Sequence, residues 1–477
     1  MTASLPLNQI AISSIDLQRS ELWWRQGLGF LPSGCTRLFR GKALSGTAGL
    51  PNAAATARWL VGSDEWLQIE LWQYESPLAR LMPADYSPLH EGFSRCGVWI
   101  KAFDATVKRL SELGSPILTD IQGEKGQRRA CVRDPDGIFV ELFEADPLSL
   151  AESAYKANAA FRSVTITTRD LNKATTFAKQ GLGLQPTDNI HTNEHETLWG
   201  LDGAHCERSC FRSGPMLLEY VQYTQPQVIP KPQDARLNDQ GILNIAFGDN
   251  QGNEDVLVMR EQAIRAGAYP STTTLLGKTT GAVYMTDPQG FSYEFMGAKP
   301  GLAQRLTGFI PQESPKFNPP DNQQAITSRW LPVSADQVFD YFADADGIQH
   351  YPGLGEIKPL RNGFKVANGV GAERLVNNKI HEQVTVFDRE RGLIHYRALS
   401  GCPLKHYMGE IHIAPHGNGC HVSWINRFRS PVPGLGWLFK WQLTSMFNRV
   451  LQTLSEQIPH NKDYTTGGDT HPQGETL

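Results

Sequence analysis

Two short signals recur in this chain at nearly one spacing, and that repeat constrains the fold more than any other feature. Asp16-Leu17 opens a helical stretch ending in Gly27-Leu28-Gly29-Phe30. Asp170-Leu171 opens another ending in Gly181-Leu182-Gly183-Leu184. Further on, Asp134-Pro135-Asp136-Gly137 leads into the segment IFVELFE, and Asp287-Pro288-Gln289-Gly290 into FSYEFMG. Asp16 and Asp170 stand 154 residues apart, Asp134 and Asp287 153. Two signals sharing an offset mark two copies of one unit of about 145 residues. The tetrapeptides are turns, because Pro presets φ and Gly accepts a positive φ.

Each copy divides again. Gln9–Ile12 reads as a short strand before a helix, and Cys96–Ile100 precedes a second helix around Asp104 to Leu113. In the second copy Ser163–Ile166 and Asn244–Phe247 play the same parts. Alternating stretches such as TARWLVG and EWLQIELWQY read as hairpins. Each copy is therefore expected to hold two βαβββ modules. A linker rich in Pro, Asn and Gln follows, from Pro311 to Gln323. The remaining segment begins with a strand, Ala325–Trp330. Ser334 with Gln337 three residues later forms a capping box for the next helix. Alternating strands run from Glu356 to Arg429, and an amphipathic helix, Leu435 to Gln457, closes the pattern.

The order strand, Asp-Leu helix, Gly-Leu-Gly-Phe, then Asp-Pro-Asp-Gly before a Glu-bearing strand resembles the vicinal-oxygen-chelate proteins (glyoxalase, bleomycin-resistance, dioxygenase) over residues 5–298. The segments HYPGLGEIKPL, GVGAERLV and GLIHYRAL resemble the polyketide-cyclase/START-like (SRPBCC) superfamily over residues 324–459. Together they imply an α+β chain: a first vicinal-oxygen-chelate copy at 1–148, a second at 158–300, a linker at 301–323, a helix-grip domain at 324–460 and a disordered polar tail at 461–477.

In the first family each domain curls into a cup whose strands point four groups at a divalent metal. Carried onto the first copy, those positions fall on Gln9, Glu70, Arg95 and Glu141. Gln, Glu, His, Glu is the ligand set of some glyoxalase I enzymes, so Arg95 stands where a histidine is needed. A guanidinium offers no lone pair and repels a dication, but it can neutralise inward carboxylates. In the second copy the positions fall on Ser163, Glu219, Asn244 and Glu294, without a histidine. A dioxygenase of this family needs two histidines. Two carboxylates without a cation cannot comfortably both ionise, so Glu219 and Glu294 are read as an acid–base pair, or alternatively as caps in a vestigial barrel. No resident cofactor is expected. A divalent metal in the first copy is the alternative. His191, His195, His205, Cys206 and Cys210 lie close in sequence, but their spacing matches no closed zinc motif and reads as a solvated loop.

The helix-grip resemblance implies an apolar tunnel between sheet and long helix. Aromatic residues are dense there: Tyr341, Phe342, Tyr351, Tyr396, Tyr407, Trp424, Phe428, Trp437, Phe439 and Trp441. Polar candidates are His350, Arg374, Glu382, His395, Glu410 and Arg427. Strand alternation places His395 opposite in face to Tyr396, and Trp424 opposite to Arg427. The expected cavity residues are Tyr396, Tyr407 and Trp424, with Glu410 as a catalytic carboxylate. Trp437, Phe439 and Trp441 are expected to pack the last helix against the sheet.

Charge narrows the function. With 45 Lys and Arg against 49 Asp and Glu, no basic excess speaks for nucleic acid or an anionic membrane. No apolar run reaches the ~18 residues of a membrane span, and the N-terminus lacks secretory features. Seven cysteines without framework spacing fit free thiols. The expected location is cytoplasmic, the expected partner an apolar small molecule, and a homodimer is open. No G-x-S-x-G, P-loop or dinucleotide fingerprint appears. The leading expectation is a metal-independent cyclase, dehydratase or isomerase acting on an aromatic or polyketide-like molecule. The alternatives are a non-catalytic binding or sequestration protein and a metal-dependent glyoxalase-like lyase.

Overall fold

The computed structural model describes residues 4–36, 39–150, 155–250, 253–312, 323–343 and 355–457. They fall into two units, 1–317 and 318–477. His350, Tyr351 and the 461–477 tail lie outside the described residues.

The local signals of the repeat form as their chemistry requires. Asp16 caps the Leu17–Leu22 helix and Asp170 caps the Leu171–Gln180 helix, each side chain accepting from a backbone N–H of the first turn. Asp134 Oδ1 accepts from the Asp136 and Ile138 N–H groups, and Asp287 Oδ1 from those of Gln289 and Phe291. Gly137 and Gly290 sit at φ 83° and 90°. Both turns thus deliver a glutamate-bearing strand, Phe139–Phe143 and Ser292–Ala298.

The copies do not close separately. The opening strand of the first module, Leu7–Ser13, pairs antiparallel with Gly241–Phe247, the opening strand of the fourth. Gly92–Ile100 of the second module pairs antiparallel with Ala159–Thr167 of the third. The first and fourth modules therefore share one sheet of ten strands, and the second and third share another of seven. This corrects the expectation that each copy forms its own cup. Sequence neighbours two and three are joined by the short connection 144–158, which lets their opening strands lie side by side. One core runs through all four modules: Trp24 of the first touches Phe161 of the third at 5.5 Å, and Phe93 of the second touches Tyr293 of the fourth at 6.3 Å.

Register verifies the equivalence of the four positions. Ala11 lies opposite Glu70, Gly97 opposite Glu141, Thr165 opposite Glu219 and Ala246 opposite Glu294. In every module the candidate Gln9, Arg95, Ser163 or Asn244 stands two residues before that partner. It shares its partner's face, since side chains alternate.

The second unit is a seven-stranded antiparallel sheet, ordered Gln323–Leu331, Gly419–Arg429, Lys405–His416, Leu393–Ser400, Ile380–Asp388, Glu373–Val376, Ile357–Arg361. Ser334 and Gln337 make the reciprocal bonds of the capping box. The Gly436–Gln457 helix buries Phe447, Val450, Leu451 and Leu454 against the sheet. Trp437 and Trp441 are 66% and 64% exposed, whereas Phe439 packs on the core. The expectation that both tryptophans face the sheet is thereby corrected: the helix turns its C-terminal half inward and leaves its first turns open. Among the described residues no helix is long and apolar enough to cross a membrane.

Candidate functional site

Crosswise pairing redistributes the eight family positions. Gln9, Glu70, Asn244 and Glu294 stand on the strands of the first–fourth cup, and Arg95, Glu141, Ser163 and Glu219 on those of the second–third cup. Glu219 and Glu294, read from the sequence as one acid–base pair, are in different cups. Glu294 instead faces Glu70, contributed from the other end of the repeat.

The second–third cup is filled with charge. His191 lies between two carboxylates, Nε2 at 2.7 Å from Glu141 and Nδ1 at 3.0 Å from Glu219. Arg95 donates to Glu219 at 2.8 Å and to Tyr223 at 3.1 Å, its guanidinium 4.1 Å over the Trp199 ring. Arg129 bonds Glu141 at 2.6 Å. Arg208 meets Glu196 at 3.0 Å and Glu219 at 3.5 Å. Burial alone raises the Glu141 carboxyl, but the Arg129 and His191 charges outweigh it and hold it at about 2. His191 and Arg95 hold Glu219 lower still against the same burial. Burial disfavours the imidazolium of His191, yet the two carboxylates win and raise its pKa. Arg95 thus pairs with the second copy's Glu219, not with a carboxylate of its own copy. Thr165, not Ser163, supplies the hydroxyl to Glu219, at 3.0 Å.

The structure corrects the expectation that His191 belongs to a solvated loop: it is 2% exposed. It immediately precedes the capping box by which Thr192 and His195 start the short Asn193–Trp199 helix, whose Trp199 ring lies against the Arg95 guanidinium. His205 is exposed at a strand end and Cys210 is buried inside, so the five residues do not converge on one point.

The first–fourth cup is open. A cavity of about 400 Å³ is lined by Gln9, Trp59, Glu70, Trp72, Tyr74, Tyr284 and Glu294 with apolar neighbours such as Phe39, Leu44 and Met296. No Lys, Arg or His is among its described lining residues. Gln9 Nε2 donates to Glu70 at 2.6 Å and Trp59 Nε1 at 2.7 Å. Glu294 Oε2 is buried without a hydrogen-bond partner. Burial pushes Glu70 up to about 7, against the hydrogen bonds from Trp59, Trp72 and Gln9. Burial and repulsion from Glu70 push Glu294 up to about 8. Between those two values Glu70 is ionised and Glu294 keeps its proton. Asn244 is fully buried beside Tyr284 and does not line the cavity.

The metal implied by the fold family does not fit either cup. In the first–fourth cup Gln9 turns its N–H toward Glu70 and its oxygen toward Gln68 Nε2, at 2.9 Å. Both oxygens of Glu70 accept N–H bonds, and no imidazole is present among the described lining residues. In the other cup Glu141 and Glu219 are already paired with His191, and Glu219 also with Arg95, whose fixed charge repels a dication.

In the second unit Trp424 Nε1 donates to the Tyr396 hydroxyl at 2.9 Å, and Tyr407 donates to Asn426 Oδ1 at 2.7 Å. Arg374 pairs with Glu382 at 3.0 Å and lies over the Tyr396 ring. This buried group faces the long helix, as the Trp424–Phe447 ring contact at 4.4 Å requires. Glu410 does not join it. It bonds Arg427 at 2.7 Å and His412 at 3.2 Å on the opposite face, which corrects its assignment to the cavity. Tyr407 and Glu410 are three residues apart, an odd spacing that regular alternation sends to opposite sides.

No curated protein matches the sequence. Among solved structures, glyoxalase I from Zea mays is similar at 14% identity, covering 62% of this chain and 92% of that one, with a TM-score of 0.43. A Thermobifida fusca protein (18%, 29% of this chain, 93% of that one, TM-score 0.25) and a Thermus thermophilus protein (17%, 29%, 97%, 0.23) are also similar. Residues 324–458 match the family model for polyketide cyclase / dehydrase and lipid transport. After four βαβββ modules paired crosswise, this chain therefore carries a C-terminal domain that matches the polyketide cyclase / dehydrase and lipid transport family model.

Proposed function

We propose that the first–fourth cup is the reactive site of a small-molecule isomerase, dehydratase or cyclase that works by proton transfer without a metal. One observation carries this reading: two buried carboxylates from distant strands share an apolar-walled cavity with no described cation beside them. The roles follow from their surroundings. N–H donors from Gln9 and Trp59 stabilise the Glu70 anion, which acts as base. Glu294, with an unbonded buried oxygen, holds the proton and acts as acid. A 400 Å³ cavity walled by Trp59, Trp72, Tyr74 and Tyr284 suits a flat aromatic molecule. A bound substrate that displaces water strengthens both roles, because charge developing on it is then met by fixed groups.

The C-terminal domain supports a second reading, carriage of an apolar ligand, since its family description includes lipid transport. The two are separated by following deuterium incorporation from D2O into enolisable aryl ketones by NMR. Proton transfer predicts exchange by the wild-type chain and a loss of about 100-fold or more in Glu70→Gln, with ligand affinity retained. Tight binding without exchange in the wild type would return the chain to carriage.

A further inference from the structure

We propose that His395, Glu410 and His412 form a binding site for a zinc-class divalent cation on the face of the C-terminal sheet turned away from its long helix. The Leu393–Ser400 and Lys405–His416 strands run antiparallel, with His395 opposite Glu410 and Leu393 opposite His412. Alternation then puts all three side chains on one face. Their donor atoms lie within 4.8 Å of one another. Glu410 Oε2 is 3.2 Å from His412 Nε2 and 4.0 Å from His395 Nε2, and the two imidazoles stack at 5.6 Å with 19° between planes.

The donor set names the metal class. Two imidazoles and one carboxylate suit zinc, cobalt or nickel, whereas magnesium and calcium prefer oxygen throughout. Arg427 Nε holds Glu410 Oε1 at 2.7 Å and leaves Oε2 turned to the histidines. Such an outer contact fixes the orientation of a ligating carboxylate. Its positive charge also opposes the cation and limits the affinity. His395 is 7% exposed, while His412 is 39% side-chain exposed and opens the site to solvent, which supplies water for the remaining coordination position. Neither the proton-transfer pair nor the buried Tyr396–Tyr407 group uses these residues, so the site stands independently of the proposed reaction.

The test uses the full-length chain, stripped with a chelator and titrated with Co²⁺ alone while visible d–d absorption is followed. One equivalent with the intense band of a low-coordinate site is expected. His412→Ala should weaken binding by about 100-fold, at the upper end of what loss of a supporting group costs. His412→Cys should retain binding and add thiolate charge-transfer absorption, which shows that the position ligates and that the variant folds. Glu70→Gln should leave the titration unchanged. No band at millimolar Co²⁺, or a band that survives His412→Ala and disappears in Glu70→Gln, overturns the site.

Discussion

At the scale of single residues, the second–third cup turns on His191. Its ring touches two carboxylates that would otherwise face each other as like charges. Removing one partner from such a buried network typically costs about 3 kcal/mol, because the remaining charges stay buried. His191→Gln is therefore expected to lower stability by about that amount, read from the urea midpoint. The pH dependence has a definite sign. The folded-state pKa of His191 is raised, so its contribution is complete below the ordinary histidine value and is lost as pH rises through the higher folded value. Glu141 works the other way: its contribution is present above the ordinary carboxylate value and is lost as pH falls toward about 2. The wild-type midpoint should decline more steeply on the alkaline side of neutrality than that of His191→Gln, whose remaining decline comes from Glu70 and Glu294. A parallel decline in both proteins would remove the imidazolium from the account.

At the scale of elements, the seams between modules carry the architecture. Gly97 sits on the Gly92–Ile100 strand at the seam. An added Cβ would meet Phe143 at 2.5 Å and would overlap Ser163 Oγ. Gly97→Ala should cost about 2 kcal/mol through forced shifts in a packed core, measured by urea unfolding. A cut between residues 150 and 155 tests the crosswise pairing more directly. Each half would expose the opening strands of both its modules, edges that need a partner. The two halves should copurify one to one, and stable monomeric halves would refute the pairing. The modules, their turns and the register of the glutamate strands were all legible in the sequence, because Asp caps, Asp-Pro turns and period-two alternation are local signals. Which module meets which was not, since every opening strand presents the same alternation to a neighbour. His191 was hidden for a related reason: it lies in a connection, where no periodicity reports burial, and only the adjacent Thr192–His195 cap hinted at an ordered segment. Glu410 was misplaced although its odd spacing from Tyr407 already separated their faces.

At the scale of the whole molecule, one repeat has been used twice for opposite ends. The four glutamates stand at equivalent registers, yet two are neutralised by Arg95, Arg129, Arg208 and His191, and two are left together in an open cavity. Sites built for chemistry commonly give up stability that the surrounding structure must supply. The first–fourth cup should show that trade directly. Glu70 and Glu294 have folded-state values raised to about 7 and about 8. Their contribution to stability is complete below the ordinary carboxylate value and is lost as pH rises through the raised values. At pH 8 the pair therefore works against folding, and Glu294→Gln, which keeps the shape and removes the charge, should stabilise the chain by roughly 1 to 2 kcal/mol. The same variant should lose proton transfer. In the wild type, exchange should rise as Glu70 ionises through about 7 and fall as Glu294 deprotonates through about 8, a bell with its maximum between them. Glu294→Gln should flatten the alkaline limb of whatever exchange remains. A variant that loses exchange and stability together would mark Glu294 as a structural group, whereas one that loses exchange and gains stability would mark it as the acid of the pair.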